Sequence, residues 1–234
     1  MVTPITNSTT APEGAALLRL LQLASPTLPV GAYAYSQGLE SAVDAAWVAD
    51  EAAAREWILG LLDHNLADLD IPLLVRLYTA WQEKEEAAVA RWTRFLWASR
   101  ESAELRAEDR ALGVALARLL ADLGVDAARP WAAADATTYA TLFALAAVSW
   151  NIALADAAAG YLWSWCENQV AAAIKLVPLG QTAGQRILCR CAERIPAVVE
   201  HGLGLADADI GSAVPGLAIA SARHETQYSR LFRS

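Results

Sequence analysis

Lysine is almost absent from this chain. Only Lys84 and Lys175 stand against sixteen arginines in 234 residues, and 26 acidic residues give a formal net charge of −8. The basic residues are scattered between acidic ones, so no cationic stripe exists to neutralise a phosphate backbone, and nucleic acid is excluded as the expected partner. Cysteine is nearly as scarce. Cys166, Cys189 and Cys191 are an odd number with no cleavable signal sequence ahead of them, which argues for a reducing compartment, the cytoplasm, and against a disulfide framework. Alternation of β-branched and polar residues is nearly missing as well, while Ala and Leu dominate and 56% of the chain is hydrophobic. The fold class this predicts is all-α, a single-domain bundle of roughly eight to ten helices.

The usual scaffolds of chemistry are also missing. There is no GxxxxGK[ST] run to cradle phosphates, no GxGxxG after a strand and no HExxH, so the chain is not expected to be an NTPase, a dinucleotide enzyme or a zincin. Cys189-Arg190-Cys191 resembles a chelating pair, but residues two apart on a helix point about 200° away from each other and cannot share one ion. These read as buried structural cysteines. The fragment Ala34-Tyr35-Ser36-Gln37-Gly38 nearly matches the GxSxG turn of serine hydrolases. Pro26 and Pro29 interrupt the strand that should precede it, and only His64, His201 and His224 are available as a base. Ser36 is read instead as a helix cap, and no catalytic, cofactor-binding or metal-binding residue is assigned.

One stretch has no charge at all. Residues 136–155 are long enough to span a bilayer. Polar Thr137, Thr138, Thr141, Ser149 and Asn151 dilute it, Asp135 and Asp156 bound it, and neither end carries a Lys/Arg cluster, so it reads as a helix buried on all sides and not as a membrane segment.

Residues 1–13 are polar and unpatterned, a flexible leader. A helical domain covers 14–222. Helices are expected from Gly14 to Ser25, from Ser36 to about Trp47, from Asp50 to Leu69, from Pro72 through Trp81, and from Glu85 through Trp97. Another starts at Ser99 or Ser102 and ends at Gly124. After the uncharged helix come Leu154 to Leu176, Thr182 to Ile195 with Pro196 as its stop, and a short helix from Pro215.

What is present in unusual form lies near the end. Lys175 stands alone in VAAAIKLVPLGQ, where an ammonium must snorkel, pair, or meet a partner. Residues 223–234 put Arg223, Arg230 and Arg233 beside Tyr228, Leu231 and Phe232. Arg and Tyr are typical of interface hot spots, so this segment reads as a tail that orders when it docks on a partner. Trp163 and Trp165 face different sides of one helix, which favours self-association.

Three segments together resemble the UreF family of urease accessory proteins: LLQLASPTLPVGAYAYSQGLE at 20–40, WCENQVAAAIKLVPLGQTAGQRIL at 165–188 and RHETQYSRLFRS at 223–234. RAEDRALG at 106–113 departs from the Gln-Met-Gly type of sequence, and TTYATLFALAAV replaces a segment that more often holds proline. The resemblance implies an all-α homodimer that helps assemble the nickel centre of urease. Its implied partners are UreD, also called UreH, the GTPase UreG and the urease apoprotein, with nickel and GTP handled by those partners and no cofactor bound tightly here. Two roles fit: an adaptor that positions UreG, or an active regulator of it, GAP-like or a fidelity checkpoint. Pro29, Gly31, Tyr33, Tyr35, Ser36, Gly38 and Glu40 match the first motif, with Tyr33 as a candidate for a dimer or partner contact and Trp163 for the dimer interface. Lys175 and Gln181 would face UreG. Arg223, Glu225, Tyr228, Arg230, Leu231, Phe232, Arg233 and Ser234 would form the surface that meets UreD.

Overall fold

The computed structural model describes residues 14–234, so the leader at 1–13 lies outside the described residues. Those residues form ten α-helices and no strand. They are α1 (Ala15–Leu23), α2 (Leu39–Asp44), α3 (Glu51–Leu61), α4 (Ile71–Glu83), α5 (Glu86–Ser99), α6 (Ala103–Asp122), α7 (Tyr139–Ser149), α8 (Leu154–Leu176), α9 (Gln181–Gly204) and α10 (Pro215–His224). The chain is one all-α domain.

Only part of the uncharged stretch forms one helix: α7 covers Tyr139–Ser149, with Ala140 to Ala147 all buried, the chain turns at Asn151, whose φ is +54°, and Leu154 already begins α8. With no polar face to offer water, this helix must be covered on every side, and α4, α6 and α8 cover it. Among the described residues no helix is long and apolar enough to cross a membrane. Helix starts follow side-chain capping: Asp50 accepts the Ala53 N–H, Ser102 the Leu105 N–H and Thr138 the Thr141 N–H.

Three local expectations are corrected. Pro72 does not begin a separate helix, because wide π-helical turns over Leu62–Asp70 join α3 to α4 in one rod. Pro72 cannot donate to the carbonyl of Asp68, and the Gly211 N–H takes that carbonyl at 3.0 Å instead. Pro196 does not stop α9, which runs on to Gly204. Pro196 and Ala192, four residues before it, are both exposed, so water can serve the carbonyl left unpaired, while Ile195, Val198 and Val199 keep the inner face packed. The helix after Ser36 starts only at Leu39 and ends at Asp44. Gln37 and Gly38 have φ of +52° and +77°, outside the right-handed helical region, so the helix itself begins only after them and Gly38 takes the capping position. The Ser36 hydroxyl still accepts the Glu40 N–H, at 3.3 Å.

The cysteines divide by face. Cys166 on α8 and Cys191 on α9 are buried, whereas Cys189 is exposed, contrary to the reading of buried cysteines throughout. The same angular offset that keeps the α9 pair from chelating turns one sulfur inward and the other to solvent. Contact with the Cys191 thiol, together with burial, pushes the Cys166 thiol up.

Candidate functional site

The loop between α1 and α2 is shaped by two glycines in the left-handed region, Gly31 at φ +81° and Gly38 at +77°. Pro29 and Tyr33 are left outside, Tyr33 at 69% exposure, and the chain turns inward at Tyr35 and Ser36, both buried. Gly38 has a second reason to lack a side chain. A Cβ there would lie 3.0 Å from the backbone nitrogen of Ser221 on α10. This close approach brings α10 and the segment beyond it onto α2.

Residues 225–234 then run back across the first motif. Arg233 N–H donates to the Ala34 carbonyl at 2.8 Å, and Ser36 N–H donates to the Ser234 carbonyl at 2.7 Å. The Ser36 hydroxyl donates to that same carbonyl. Glu40, in the first turn of α2, accepts the Leu231 and Phe232 amides at 2.7 and 2.8 Å. Ser234 Oγ donates to Glu108 Oε2 at 2.6 Å. The Glu108 Oε1 accepts Gln37 Nε2, whose own Oε1 accepts Trp165 Nε1. Asn168 Nδ2 donates to the Tyr35 carbonyl at 3.2 Å. Lys175 lies over the Phe232 ring, 5.4 Å from its centroid. All three segments singled out in the sequence therefore meet at one place.

Phe232 and Ser234 are the buried anchors of the segment, at 6% and 1% exposure, while Tyr228 is fully exposed and Leu231 is 66% exposed. Arg230 pairs with Glu104 of α6 at 2.7 Å. Glu225 accepts the Ala103 N–H and so serves the first turn of α6 from outside. Arg223 stacks over the exposed Trp47. Gln181 and Trp163 lie elsewhere: Gln181 is exposed at the start of α9, and Trp163 is half-buried on α8.

Glu108 also lines a cavity of about 360 Å³. Burial pushes its carboxyl up to about 7, against the Ser234 hydroxyl and the Gln37 amide, which favour the charged form. On the same wall Arg100 donates two bonds to Asp70, at 2.9 and 2.7 Å, and one to Asp109 at 2.8 Å. Burial works against that guanidinium, but the two carboxylates hold its pKa well above the usual arginine value. Tyr161 Oη donates to Asp70, and the Tyr139 N–H to Asp109. Each charge in this network has a partner. Among the described residues no group of three or more His, Cys, Asp or Glu is placed to hold a metal ion.

Glu104, Glu108 and His224 belong to this site without any local pattern in the sequence that marks them. His224 reaches Glu104 and Glu40 across 120 and 184 residues of chain, so no local pattern could have shown the cluster.

A family model described as UreF matches residues 48–192. The chain is 55% identical to the urease accessory protein UreF of Alkalilimnicola ehrlichii over 227 residues, 97% of this chain and 100% of that protein. It is 52% identical to the protein of the same name from Teredinibacter turnerae, covering 93% of this chain and 98% of the relative. It is also 52% identical to that of an Azoarcus species, covering 93% and 95%. The three segments that meet around Glu40 are those that resembled UreF in the sequence, and on this extent of identity the chain belongs to the UreF family.

Proposed function

We propose that this protein is a non-catalytic adaptor in the maturation of the urease nickel centre. In this reading it is a cytoplasmic homodimer that assembles with UreD, or UreH, recruits the GTPase UreG, and helps couple GTP hydrolysis to nickel insertion into apo-urease. Nickel and GTP stay with the partners. The observation that carries the reading is the convergence of the three motif segments, which gives the C-terminal segment a fixed seat and turns Tyr228 and Leu231 outward. An exposed Tyr and Leu beside Arg230 on a backbone already ordered offer a hot-spot patch with little ordering entropy left to lose. Lys175 and Gln181, both exposed, extend the candidate surface toward UreG.

Ser36 supports no rival role as a nucleophile. It is fully buried and its hydroxyl is committed to the Ser234 carbonyl. A fluorophosphonate probe is expected to leave the protein unlabelled.

The test is made in cells that express urease but lack this gene. Complementation with the wild-type chain should restore nickel to urease, measured on the purified enzyme by elemental mass spectrometry. Complementation with a chain ending at residue 225 should leave urease soluble and nickel-poor. Full nickel loading by the shortened chain would contradict the proposal.

A further inference from the structure

Most basic residues of this chain sit among acids, but residues 87–100 hold three arginines and no acid. They make up nearly all of α5. The helix rests on α4 and α6 and buries Val89, Thr93 and Leu96, while Arg100, just beyond its end, turns inward to Asp70 and Asp109. Arg91, Arg94 and Phe95 are exposed, Phe95 at 41%. Steps of three and four residues put Arg94 and Phe95 on the same outer face as Arg91.

Aromatic rings stand here where carboxylates stand elsewhere. The Arg91 guanidinium lies over the Trp92 ring, 4.5 Å from its centroid, and Trp92 meets Phe95 edge-on at 6.0 Å. From α6, Arg106 reaches the Trp97 ring at 5.9 Å and donates to the Arg100 carbonyl at 2.6 Å. Among the described residues no carboxylate, not even those of Glu86 and Glu101 at the two ends of the stretch, lies within ion-pair distance of Arg91, Arg94 or Arg106. The arginines of α9 are the contrast: Arg186 pairs with Glu51, Arg190 with Glu193 and Arg194 with Asp63. In a chain with 26 acids against 18 basic residues, composition alone would pair the α5 arginines too.

We infer that the outer face of α5, with Arg106 of α6, is a docking surface for an acidic polypeptide segment that carries apolar side chains between its carboxylates. Stacking occupies the flat face of a guanidinium and leaves its in-plane N–H donors for a carboxylate, which they meet as a fork. A guanidinium already held on a ring also loses less freedom when it binds. Phe95 and the edges of Trp92 and Trp97 supply the apolar contact, and Trp and Arg are the residues that carry binding energy at protein interfaces. Charge selects the class of partner. A net charge of −8 repels the dense, continuous charge of a nucleic acid. A membrane would need a longer apolar face than one exposed phenylalanine between two half-buried tryptophans. This surface goes beyond the function proposed above, which places its partners at the C-terminal segment, Lys175 and Gln181, and does not depend on it.

The probe is a short synthetic peptide that alternates paired glutamates with single leucines, titrated into the full chain at low salt and followed by the ¹H–¹⁵N indole signals of Trp92 and Trp97. Both signals should move, the affinity should fall as ionic strength rises, and the same peptide with glutamine in place of glutamate should leave them still. Arg91→Glu combined with Arg94→Glu should weaken binding by about tenfold or more, since attraction is exchanged for repulsion. Arg190→Glu, on the paired face of α9, should change it little. Phe95→Ser should weaken binding with every arginine in place, which separates a built surface from charge alone and keeps the test available if the double variant does not fold. Signals that stay still with the glutamate peptide would overturn the inference, as would unchanged affinity in either folded variant. So would oligothymidine or phosphatidylglycerol vesicles that move the same signals at lower concentration than the peptide, an outcome that gives the face to nucleic acid or to membrane.

Discussion

Glu40 and Phe232 are 192 positions apart in sequence, and the Phe232 amide donates to the Glu40 carboxylate at 2.8 Å. This bond and its neighbour at Leu231 help to seat residues 225–234 on the bundle. Glu40→Ala removes the acceptor of two amides and one ring nitrogen at once. The expected cost is about 3 kcal/mol in urea unfolding, the range for bonds to a buried charged group. Trypsin should also cut at Arg230 faster in this variant while the bundle stays intact. An unchanged cleavage rate would show that the carboxylate does not hold the segment.

Glu108 should make stability fall with pH. Its carboxyl is pushed from 4.5 up to about 7 by burial, so the native chain keeps this proton to a higher pH than the unfolded chain does. The resulting stability is present in full below the unfolded value and drains away as pH rises through the folded value. Glu108→Gln cannot titrate. Between about pH 5 and about pH 8 the wild-type chain should lose of the order of 3 kcal/mol relative to this variant, measured by denaturant unfolding. A constant difference across that range would refute the assignment.

Gly38→Ala should destabilise by about 2 kcal/mol, the scale of strain for a non-glycine residue held at positive φ. The φ of +77° and the approach of Ser221 nitrogen to 3.0 Å of the added carbon act together. Gly31→Ala meets no neighbouring atom and keeps only the conformational part, so its loss in thermal unfolding should be smaller. Equal losses would mean that packing of α10 on α2 contributes nothing at this position.

Arg100→Ala leaves Asp70 and Asp109 buried without their counter-charge, and a loss of about 3 to 5 kcal/mol follows from breaking a buried pair. Arg100→Lys should recover only part of it. A single ammonium cannot reproduce the guanidinium fork that meets Asp70 with two nitrogens and Asp109 with a third. Full recovery by lysine in thermal unfolding would remove the geometric argument.

Much of the bundle was legible because its signals are local. Asp50, Ser102 and the uncharged run at 136–155 each announce a helix by neighbours within a few residues. Pro72 and Pro196 misled because their effect depends on what meets the freed carbonyl, Gly211 in one case and solvent in the other. The candidate site was legible as three separate segments, through Lys175 and the arginine and aromatic residues near the end. Their junction was not, since Glu40 on α2, Glu104 and Glu108 on α6 and His224 on α10 come from three separate parts of the chain and no local pattern relates them. The 106–113 stretch, noted only as a departure from the family pattern, holds both Glu108 and Asp109, the acids beside the segment and the cavity.

Lys175→Ala should lower UreG recruitment by the accessory complex more than it lowers thermal stability, because the residue is exposed and its ammonium lies over the Phe232 ring without an ion pair among the described residues. Pull-down with UreG and thermal unfolding of the same preparation separate the two effects. A large stability loss with recruitment unchanged would make Lys175 a structural residue.

The most direct test of the central claim is a mass measurement. The chain is co-expressed with UreD, and the complex is weighed by size exclusion with light scattering, for wild type and for Leu231→Asp, which places a charge on the exposed side of the segment and leaves the Leu231 amide on Glu40. A stable complex is expected for wild type, and free, fully folded protein for Leu231→Asp. A complex of unchanged mass and affinity in the variant would contradict it.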